Sequence, residues 1–405
     1  MWRIIKLQLR ILLFSIFGFF TLPFLPVNLD FDPIAYNVSL PEFKGALAPN
    51  KLLDSGKIMF QQILHGPESL AVKDGLIYTG TRLGDVYAID PVRETLTKVA
   101  NTGSECGGFH DEEKCGRVLG LRFAKNGDLY GIDAFKGLLK IDIKTGKVET
   151  LVKAESYVGS SRLRFGDDLD IDDDGIIYYS QGSRRWGLHQ IIYIVMEYDT
   201  TGRILTYDTK TKKSGVLIDG IAFPNGVQLT ADKKALLYSE LNAKRINRYE
   251  LQGPSKGKVS VFADRLPGGP DNLRLSPRGT YWVAYDTARS ASTPYVADLI
   301  APYPLIAKAT MRFCWLSGQA LKYVYQYFDH PTIRDFIADL EHGKILLSFA
   351  PKRGIITELD QNGKILRSMH SSHLSMFSEV LEFENHFYIG SFINPYLLRI
   401  GSPKN

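Results

Sequence analysis

From residue 58 onwards the chain repeats one short pattern, in which a polar turn is followed by a short hydrophobic run of aliphatic and aromatic residues. Clear examples are DGLIYTG from Asp74, NGDLYGI from Asn126, DGIIYYS from Asp174 and RGTYWVA from Arg278. Glycine-containing turn pairs followed by aliphatic and aromatic residues are typical of β-strands. Partner segments such as DVYAID and RINRYEL lie between them. The pattern therefore predicts an all-β protein of many short strands.

The strands group into units whose first strand follows a Gly or Pro and a polar cluster. The first five of these starts advance by 50, 50, 58 and 45 residues, and the sixth follows at Ser378 after a gap of 109; the five are Gly66, Gly116, Gly166, Pro224 and Gly269. A repeat of this length with four short strands is typical of a β-propeller. Six starts predict a six-bladed β-propeller over residues 58–405. The segment KIMFQQIL, near residue 60, is predicted to supply the outer strand of the last blade beside YLLRI.

The long gap before the last blade coincides with a change of periodicity. Residues 294–340 have helical spacing and few turn residues. They predict a helical insertion within blade five. Its aromatic content near Lys308 and Arg312 leaves two interpretations open: an extra packing element, or a lid or second membrane contact.

The N-terminus has the charge pattern of a signal anchor. Three basic residues, Arg3, Lys6 and Arg10, precede an apolar run from Ile11 to Val27, and acidic residues follow it. The positive-inside rule then predicts a cytoplasmic N-terminus. No small-residue cleavage site follows, which favours an uncleaved anchor over a removed signal peptide.

This pattern predicts a single-pass type II membrane protein of the endoplasmic reticulum or plasma membrane, with the propeller on the lumenal or extracellular side. Residues 1–30 would form the cytoplasmic tip and the anchor, and residues 31–57 would form a linker. The sequon Asn37-Val38-Ser39 lies on the predicted lumenal side, so Asn37 is a candidate glycosylation site.

Composition narrows the function classes. The chain has 405 residues, of which 44% are hydrophobic and 12% aromatic, so a disordered chain is excluded. The net charge of +5 is diffuse and includes no long basic run, which argues against nucleic-acid binding. Of three cysteines, Cys106 and Cys115 are close enough in sequence to form a disulfide in an oxidising lumen, whereas a zinc site would need distant ligands. Cys314 is expected to be a buried thiol.

Polar residues recur where the first strand of each unit begins, and in a propeller these strands line the central channel. They are Glu68, Asp167, Asp168, Asn225, Asp271 and Asn272. Oxygen ligands converging from several blades are what calcium requires, and a buried carboxylate cluster without a cation would be costly. Asp and Asn also serve as simple turn formers. The repetition favours a calcium site.

The segments GPESLA, CGRVLG, FGDDLDIDDDGIIYYSQGS, FPNGVQLT, PDNLRLSPRGTYWVA and EVLEFENHFYIGSF resemble those of the strictosidine synthase-like family. The resemblance covers nearly the whole chain from about residue 30. It implies a six-bladed propeller related to the paraoxonases, with Cys106 and Cys115 at the family's disulfide positions. It also places Glu68, Asn225, Asp271 and Asn272 on the metal-ligand positions of calcium-dependent relatives. Asp167 stands where the family usually has Asn, and either side chain offers an oxygen.

The resemblance implies a calcium-dependent hydrolase of small esters or lactones, with arylesterase-like activity. In that interpretation the metal polarises the carbonyl, and Asp271 positions or activates water. The alternative is a non-catalytic membrane glycoprotein whose propeller binds a protein partner and holds calcium structurally. Condensing activity of the plant synthase type is disfavoured, because neither Glu379 nor Glu382 can be assigned the required role from sequence.

Overall fold

The computed structural model describes residues 2–106, 108, 111–327 and 330–401. This part of the chain separates into two compact units. One is helical and consists of the residues up to Val38, His189–Asp199 and Tyr295–Ala350. The other contains the strands and consists of Ser39–Leu188, Thr200–Pro294 and the residues from Pro351 onward.

The strand-containing unit consists, in the described residues, of six four-stranded sheets and one two-stranded hairpin. In chain order the strands are β1 (Lys57–Met59), β2 (Leu70–Lys73), β3 (Leu76–Gly80), β4 (Asp85–Asp90), β5 (Thr95–Asn101), β6 (Val118–Phe123), β7 (Leu129–Asp133), β8 (Gly137–Ile141), β9 (Val148–Lys153), β10 (Tyr157–Val158), β11 (Ser161–Arg162), β12 (Gly166–Ile171), β13 (Ile176–Gln181), β14 (Gly202–Asp208), β15 (Lys213–Ile221), β16 (Pro224–Leu229), β17 (Ala235–Glu240), β18 (Arg245–Glu250), β19 (Val259–Ala263), β20 (Pro270–Leu275), β21 (Tyr281–Tyr285), β22 (Gly354–Leu359), β23 (Ile365–Ser371), β24 (Glu379–Phe383), β25 (His386–Gly390) and β26 (Leu397–Gly401).

The six sheets close into a ring. Five are β2–β5, β6–β9, β12–β15, β16–β19 and β20–β23, and the sixth is β24–β26 completed by β1. The first strands contact one another in the order β2, β6, β12, β16, β20 and β24, and β24 contacts β2. The predicted six-bladed propeller is therefore present. The predicted closure is also confirmed, because Lys57–Met59 pairs antiparallel with Leu397–Arg399.

Burial follows position within the blade. All six residues of β12 and of β17 are buried, whereas only one of the seven residues of the outer strand β5 is buried. Between blades four and five, apolar side chains from both sheets form one core, for example Leu237 against Leu273 and Val283. Each blade thus buries its apolar faces against its neighbours, as expected for blades that cannot fold alone.

Three glycines permit neighbouring blades to approach closely near the ring centre. A Cβ on Gly226 would lie 2.6 Å from the carbonyl oxygen of Asp271, and one on Gly390 would lie 2.4 Å from that of Glu68. Gly120 has the same relation to Asp167, at 2.9 Å. Real Cβ atoms do not approach backbone this closely, so any larger residue would push apart the strands that carry the polar cluster.

The helices are α1 (Trp2–Thr21), α2 (Glu112–Cys115), α3 (Ile191–Glu197), α4 (Val296–Ile300), α5 (Pro304–Tyr325) and α6 (Pro331–Glu341). In sequence, α4 to α6 lie between the second and third strands of one sheet, β21 and β22, where the insertion was predicted. The short helix α3, between β13 and β14, was not predicted. All of these helices except α2 belong to the helical unit.

The predicted anchor segment forms α1 and a following 3-10 turn, Leu22–Phe24. Among the described residues, no helix has both the length and the apolar character needed to cross a membrane. The structure thus gives the predicted transmembrane anchor no support.

Candidate metal centre

The first strands of three blades share one irregularity at their starts. In β12, β16 and β20 the pairing register with the next strand shifts, so that two residues on the first strand face one on its partner. Such a bulge re-aims the side chains that it contains. The residues inside the three bulges are Asp167 and Asp168, Asn225 and Gly226, and Asp271 and Asn272. Five of the six polar residues predicted from sequence are therefore presented by the same kind of bulge in three blades, whereas Glu68 lies just before β2.

Five buried oxygen atoms at this centre have no hydrogen-bond donor within the described part of the chain. They are Glu68 Oε2, Asp167 Oδ1, Asn225 Oδ1, Asp271 Oδ1 and Asn272 Oδ1. None of these five residues is more than 4% exposed. Burying an unpaired carboxylate or amide oxygen is costly, and a bound cation would remove that cost. These are the five residues that sequence reasoning assigned as calcium ligands, and they come from four different blades.

Two hydrogen bonds orient the amide groups of this cluster. Asn225 donates from Nδ2 to Asp167 Oδ2 at 3.0 Å, and Asn272 donates from Nδ2 to Glu379 Oε2 at 3.2 Å. Because each amide nitrogen is engaged elsewhere, each amide oxygen is left as the unpaired atom. This orientation suits a cation.

The five candidate ligand atoms are hard oxygen donors, three from carboxylates and two from side-chain amides. Carboxylate and amide oxygens are ligands of calcium, which takes six to eight oxygens in flexible geometry. Within the described residues, no group of three or more His, Cys, Asp or Glu side chains could hold a metal ion by itself. A metal centre here therefore depends on the two amide oxygens as well as the carboxylates.

A buried arginine binds the carboxylates behind the cluster. Arg274 lies 2.7 Å from Asp168 Oδ2 through Nη1 and 3.0 Å from Asp168 Oδ1 through Nη2. It also donates from Nε to Glu379 Oε1 at 2.8 Å and from Nη2 to Glu379 Oε2. Asp168 and Glu379 are fully buried. Arg274 therefore balances the charge of both carboxylates, while Glu379 also accepts the hydrogen bond from Asn272.

A second buried arginine connects the cluster to the disulfide loop. Arg117 Nη2 lies 3.7 Å from Glu68 Oε2, and Arg117 Nη1 lies 3.5 Å from Glu112 Oε1. Glu112 also accepts a hydrogen bond from Arg82 Nε at 2.6 Å. Glu112 lies on α2, which ends at Cys115.

The predicted disulfide between Cys106 and Cys115 is present, with its Cα atoms 5.5 Å apart. Cys314, the remaining cysteine, is buried as expected. Asn37 is exposed, and its glycosylation stays a prediction.

The carboxyl groups of the cluster are strongly perturbed. Burial raises the pKa of Glu68 to about 8, opposed by the nearby charge of Arg117. Burial also raises the pKa of Asp167 and of Asp271 well above the ordinary value, and the charge of Glu68 adds to both shifts. Without a cation Glu68 holds its proton at neutral pH, and a bound cation would displace it.

Sequence reasoning missed the role of Arg274. A usable signal was present in PDNLRL, because alternation along a strand places residues 272 and 274 on the same face. Glu379 could not be assigned from sequence, and the structure separates it from Glu382. Glu379 belongs to the centre, whereas Glu382 accepts a hydrogen bond from Trp282 Nε1 at 3.0 Å within the blades.

The fold and the cluster define a class, the six-bladed propellers with a polar ligand set at the ring centre. Solved structures agree on the fold: a gluconolactonase from Xanthomonas campestris has a TM-score of 0.53 at 12% identity, covering 94% of this chain and 99% of that one. A luciferin-regenerating enzyme also has a TM-score of 0.53 at 12% identity, covering 87% of this chain and 94% of that one.

Sequence comparison is more specific. The chain matches the family described as strictosidine synthase over residues 167–254 and the family described as strictosidine synthase-like, N-terminal, over residues 45–89. Adipocyte plasma membrane-associated protein of Salmo salar is 34% identical over 98% of this chain and 91% of its own length. The Homo sapiens protein is 32% identical over 92% of this chain and 83% of its own. The chain belongs to the adipocyte plasma membrane-associated protein family of strictosidine synthase-like propellers.

Proposed function

We propose that this protein is a membrane-associated, calcium-dependent hydrolase of small esters or lactones. The observation that carries the proposal is the set of five buried, unpaired oxygens from Glu68, Asp167, Asn225, Asp271 and Asn272. These residues would hold the cation. The name of the Xanthomonas neighbour, a gluconolactonase, adds a lactone to the range of substrates worth testing.

The residues have separable roles in this proposal. When bound, calcium would supply Lewis acidity toward the ester or lactone carbonyl. Asp271 would position the attacking water and, in the deprotonated form that the bound cation favours, accept its proton. Asn225 and Asn272 would orient neutral oxygens toward the cation, and Arg274 would keep Asp168 and Glu379 out of the reaction.

The purified full-length protein is expected to hydrolyse phenyl acetate, and EDTA should abolish the activity until calcium is restored. Asn225→Ala should lower the rate by about 100-fold or more, because it removes an oxygen ligand and the bond that holds Asp167. Asn247→Ala is the matched control, since Asn247 is equally buried but bonds to Glu240 from β18, away from the cluster. Activity that survives both EDTA and Asn225→Ala would exclude the metal mechanism.

One observation favours a second candidate function. All five candidate ligands are almost fully buried, which suits a cation that stabilises the ring without meeting a substrate. The protein would then be a membrane glycoprotein that uses the propeller to bind a partner. In that case Asn225→Ala would lower the melting temperature, and no calcium-dependent turnover would be found with aryl esters or with lactones.

The membrane part of the proposal rests on the N-terminal segment and on the relatives' names, which describe plasma membrane-associated proteins. We propose that this segment attaches the protein to the membrane in a type II orientation, with Asn37 and the propeller on the lumenal or extracellular side.

The glycan at Asn37 tests this orientation. The protein expressed in animal cells is expected to shift to a lower mass on endoglycosidase treatment, and Asn37→Gln should remove the shift. Asn126→Gln serves as the control, because Asn126 is exposed but is not in a sequon. An unglycosylated wild-type chain in the membrane fraction would contradict the orientation.

A further inference from the structure

The helical unit exposes an unusual amount of apolar surface. Most of the exposed large hydrophobic side chains in the described part of the chain belong to it, whereas isolated ones are normal on any protein surface. On α5 and the turn that follows it, the exposed members are Leu305, Phe313, Leu321, Tyr323, Val324 and Tyr327. A further group lies on α1 and the chain after it, including Leu13, Phe14, Phe17, Phe20 and Phe24.

Helix α5 is apolar on two different faces. One buried face consists of Ala307, Met311, Cys314 and Gly318, spaced by four, three and four residues, and the first half of the helix also buries Ala309 and Arg312. We name the second face the outer stripe, and it consists of Leu305, Phe313, Ala320, Leu321, Tyr323 and Val324. At about 100° per residue, no charged residue of α5 falls within the arc of the outer stripe. A helix whose apolar surface extends well beyond its packed face is normally covered by protein or by lipid.

A buried arginine attaches α5 to the N-terminal segment. Arg312 Nη1 donates to the carbonyl oxygens of Leu22, Pro23 and Leu25 at 3.0, 2.7 and 2.8 Å. These carbonyls follow the end of α1, and a cation is favourable at a helix C-terminus. The outer stripe is therefore held next to the segment proposed to reach the membrane.

The charge pattern of α1 fits a lipid surface better than a protein one. Lys6 and Arg10 are exposed, and at helical spacing they share one face with Phe14 and Phe17, which are 78% and 68% exposed. Basic residues followed by aromatic ones on one helix face are typical of segments that bind membranes containing anionic lipids.

We propose that the outer stripe of α5 is a second membrane contact, which lies in the interface of a bilayer containing anionic lipids. This proposal rests on the membrane association in the proposed function, not on its type II orientation, and is independent of the hydrolase part. The helix would lie in the plane of the membrane, because its buried face stays packed in the helical unit. Two contacts on the helical unit would fix the orientation of that unit on the bilayer, which a single attachment cannot do.

A fluorophore on the outer stripe tests the proposal. In full-length protein carrying Cys314→Ala, the free thiol is removed and Val324→Cys is labelled with an environment-sensitive dye. Phosphatidylcholine vesicles containing phosphatidylserine should cause a blue shift and a rise in emission. The matched control is Val261→Cys on β19, which is equally exposed but belongs to the propeller unit, and no shift is expected there.

Substitution of the stripe gives a second measurement. Phe313→Ser, Tyr323→Ser and Val324→Ser combined should weaken partitioning into these vesicles by about tenfold or more, because three large apolar side chains no longer enter the interface. The control pair Val259→Ser and Val261→Ser should leave partitioning unchanged.

Several outcomes would overturn the proposal. If the protein sediments with vesicles while the label at residue 324 stays unshifted, the N-terminal segment binds the membrane and the outer stripe does not. If no binding occurs, both membrane proposals fail. If the label shifts without vesicles and in proportion to protein concentration, a second copy of the chain covers the stripe instead.

Discussion

Replacing Arg274 with methionine is expected to destabilise the propeller by about 3 to 5 kcal/mol, a large loss for a single substitution. The guanidinium bonds to both Asp168 and Glu379, and all three residues are buried. Methionine fills similar space but leaves two carboxylates uncompensated in the interior. Those carboxylates belong to blades three and six, so the loss falls on contacts across the ring.

Thermal and urea unfolding measure this loss, and Arg278→Met is the matched control. Arg278 also pairs with two glutamates, Glu358 and Glu382, but its side chain is 38% exposed. Solvent screens such pairs, so the control should lose no more than about 1 kcal/mol. An equal loss for the two variants would show that burial does not increase the contribution of the Arg274 network to the free energy of unfolding.

A second substitution separates charge from packing. Adding Glu379→Gln to Arg274→Met removes one of the two uncompensated charges, so the double variant should be more stable than Arg274→Met alone. If the double variant is instead less stable by the sum of the two single losses, the network contributes packing and hydrogen bonds and not charge balance.

The fold could be predicted because a propeller repeats its signals locally. Each blade carries its own turns and alternation, as in DGIIYYS, and these features survive without knowledge of distant contacts. The insertion could be placed because it lengthened one interval of the repeat. Helix α3 could not, since Ile191–Glu197 is a short apolar run that is equally compatible with a buried strand.

The N-terminal segment is harder to predict for a physical reason. Hydropathy shows one continuous apolar run from Ile11 to Val27, but this run contains Pro23 and Pro26. Proline lacks the N–H that a helix interior uses, and α1 ends at Thr21 with a 3-10 turn over Leu22–Phe24. Hydropathy alone does not register this interruption.

The candidate ligands could be located because they occupy the same place in several repeats. Asn225 and Asp271 each stand just after the proline that begins their strand. Their partners could not be located in the same way. Arg274 meets Glu379 across 105 residues of sequence, and only ring closure brings them together. Long-range pairing of this kind leaves little trace in a single sequence.

Calcium removal is expected to make stability fall as the pH rises from about 6.5 to about 8.5. Burial raises the pKa of Glu68 to about 8, and it raises the pKa values of Asp167 and Asp271 in the same direction. In this window the metal-free folded chain holds protons that the unfolded chain has released. The free energy of unfolding therefore decreases with pH, by roughly 1 kcal/mol per pH unit for each such proton.

The other titratable groups with shifted pKa values do not reverse this decrease of stability between about pH 6.5 and 8.5. The histidines His342 and His370 have pKa values lowered to about 4 by burial, so they cost stability only below about pH 6.5. Exposed carboxyls with lowered pKa, such as Asp142, act only at still lower pH. Burial also raises the pKa values of Asp133 and Asp170, which act in the same direction as the cluster, so the Glu68→Gln comparison assigns the effect.

Melting temperatures measured with EDTA and with calcium at the two pH values check this prediction. Calcium should raise the melting temperature most at the higher pH, because fewer protons then need to be displaced from the ligands. Glu68→Gln keeps the shape of the side chain but cannot titrate, so it should flatten the pH dependence of the EDTA-treated protein and weaken the calcium effect. A melting temperature in EDTA that is unchanged or higher at the upper pH would mean that these carboxyls are already ionised, and the cluster would then have to be neutralised by Arg117 and Arg274 and not by a cation.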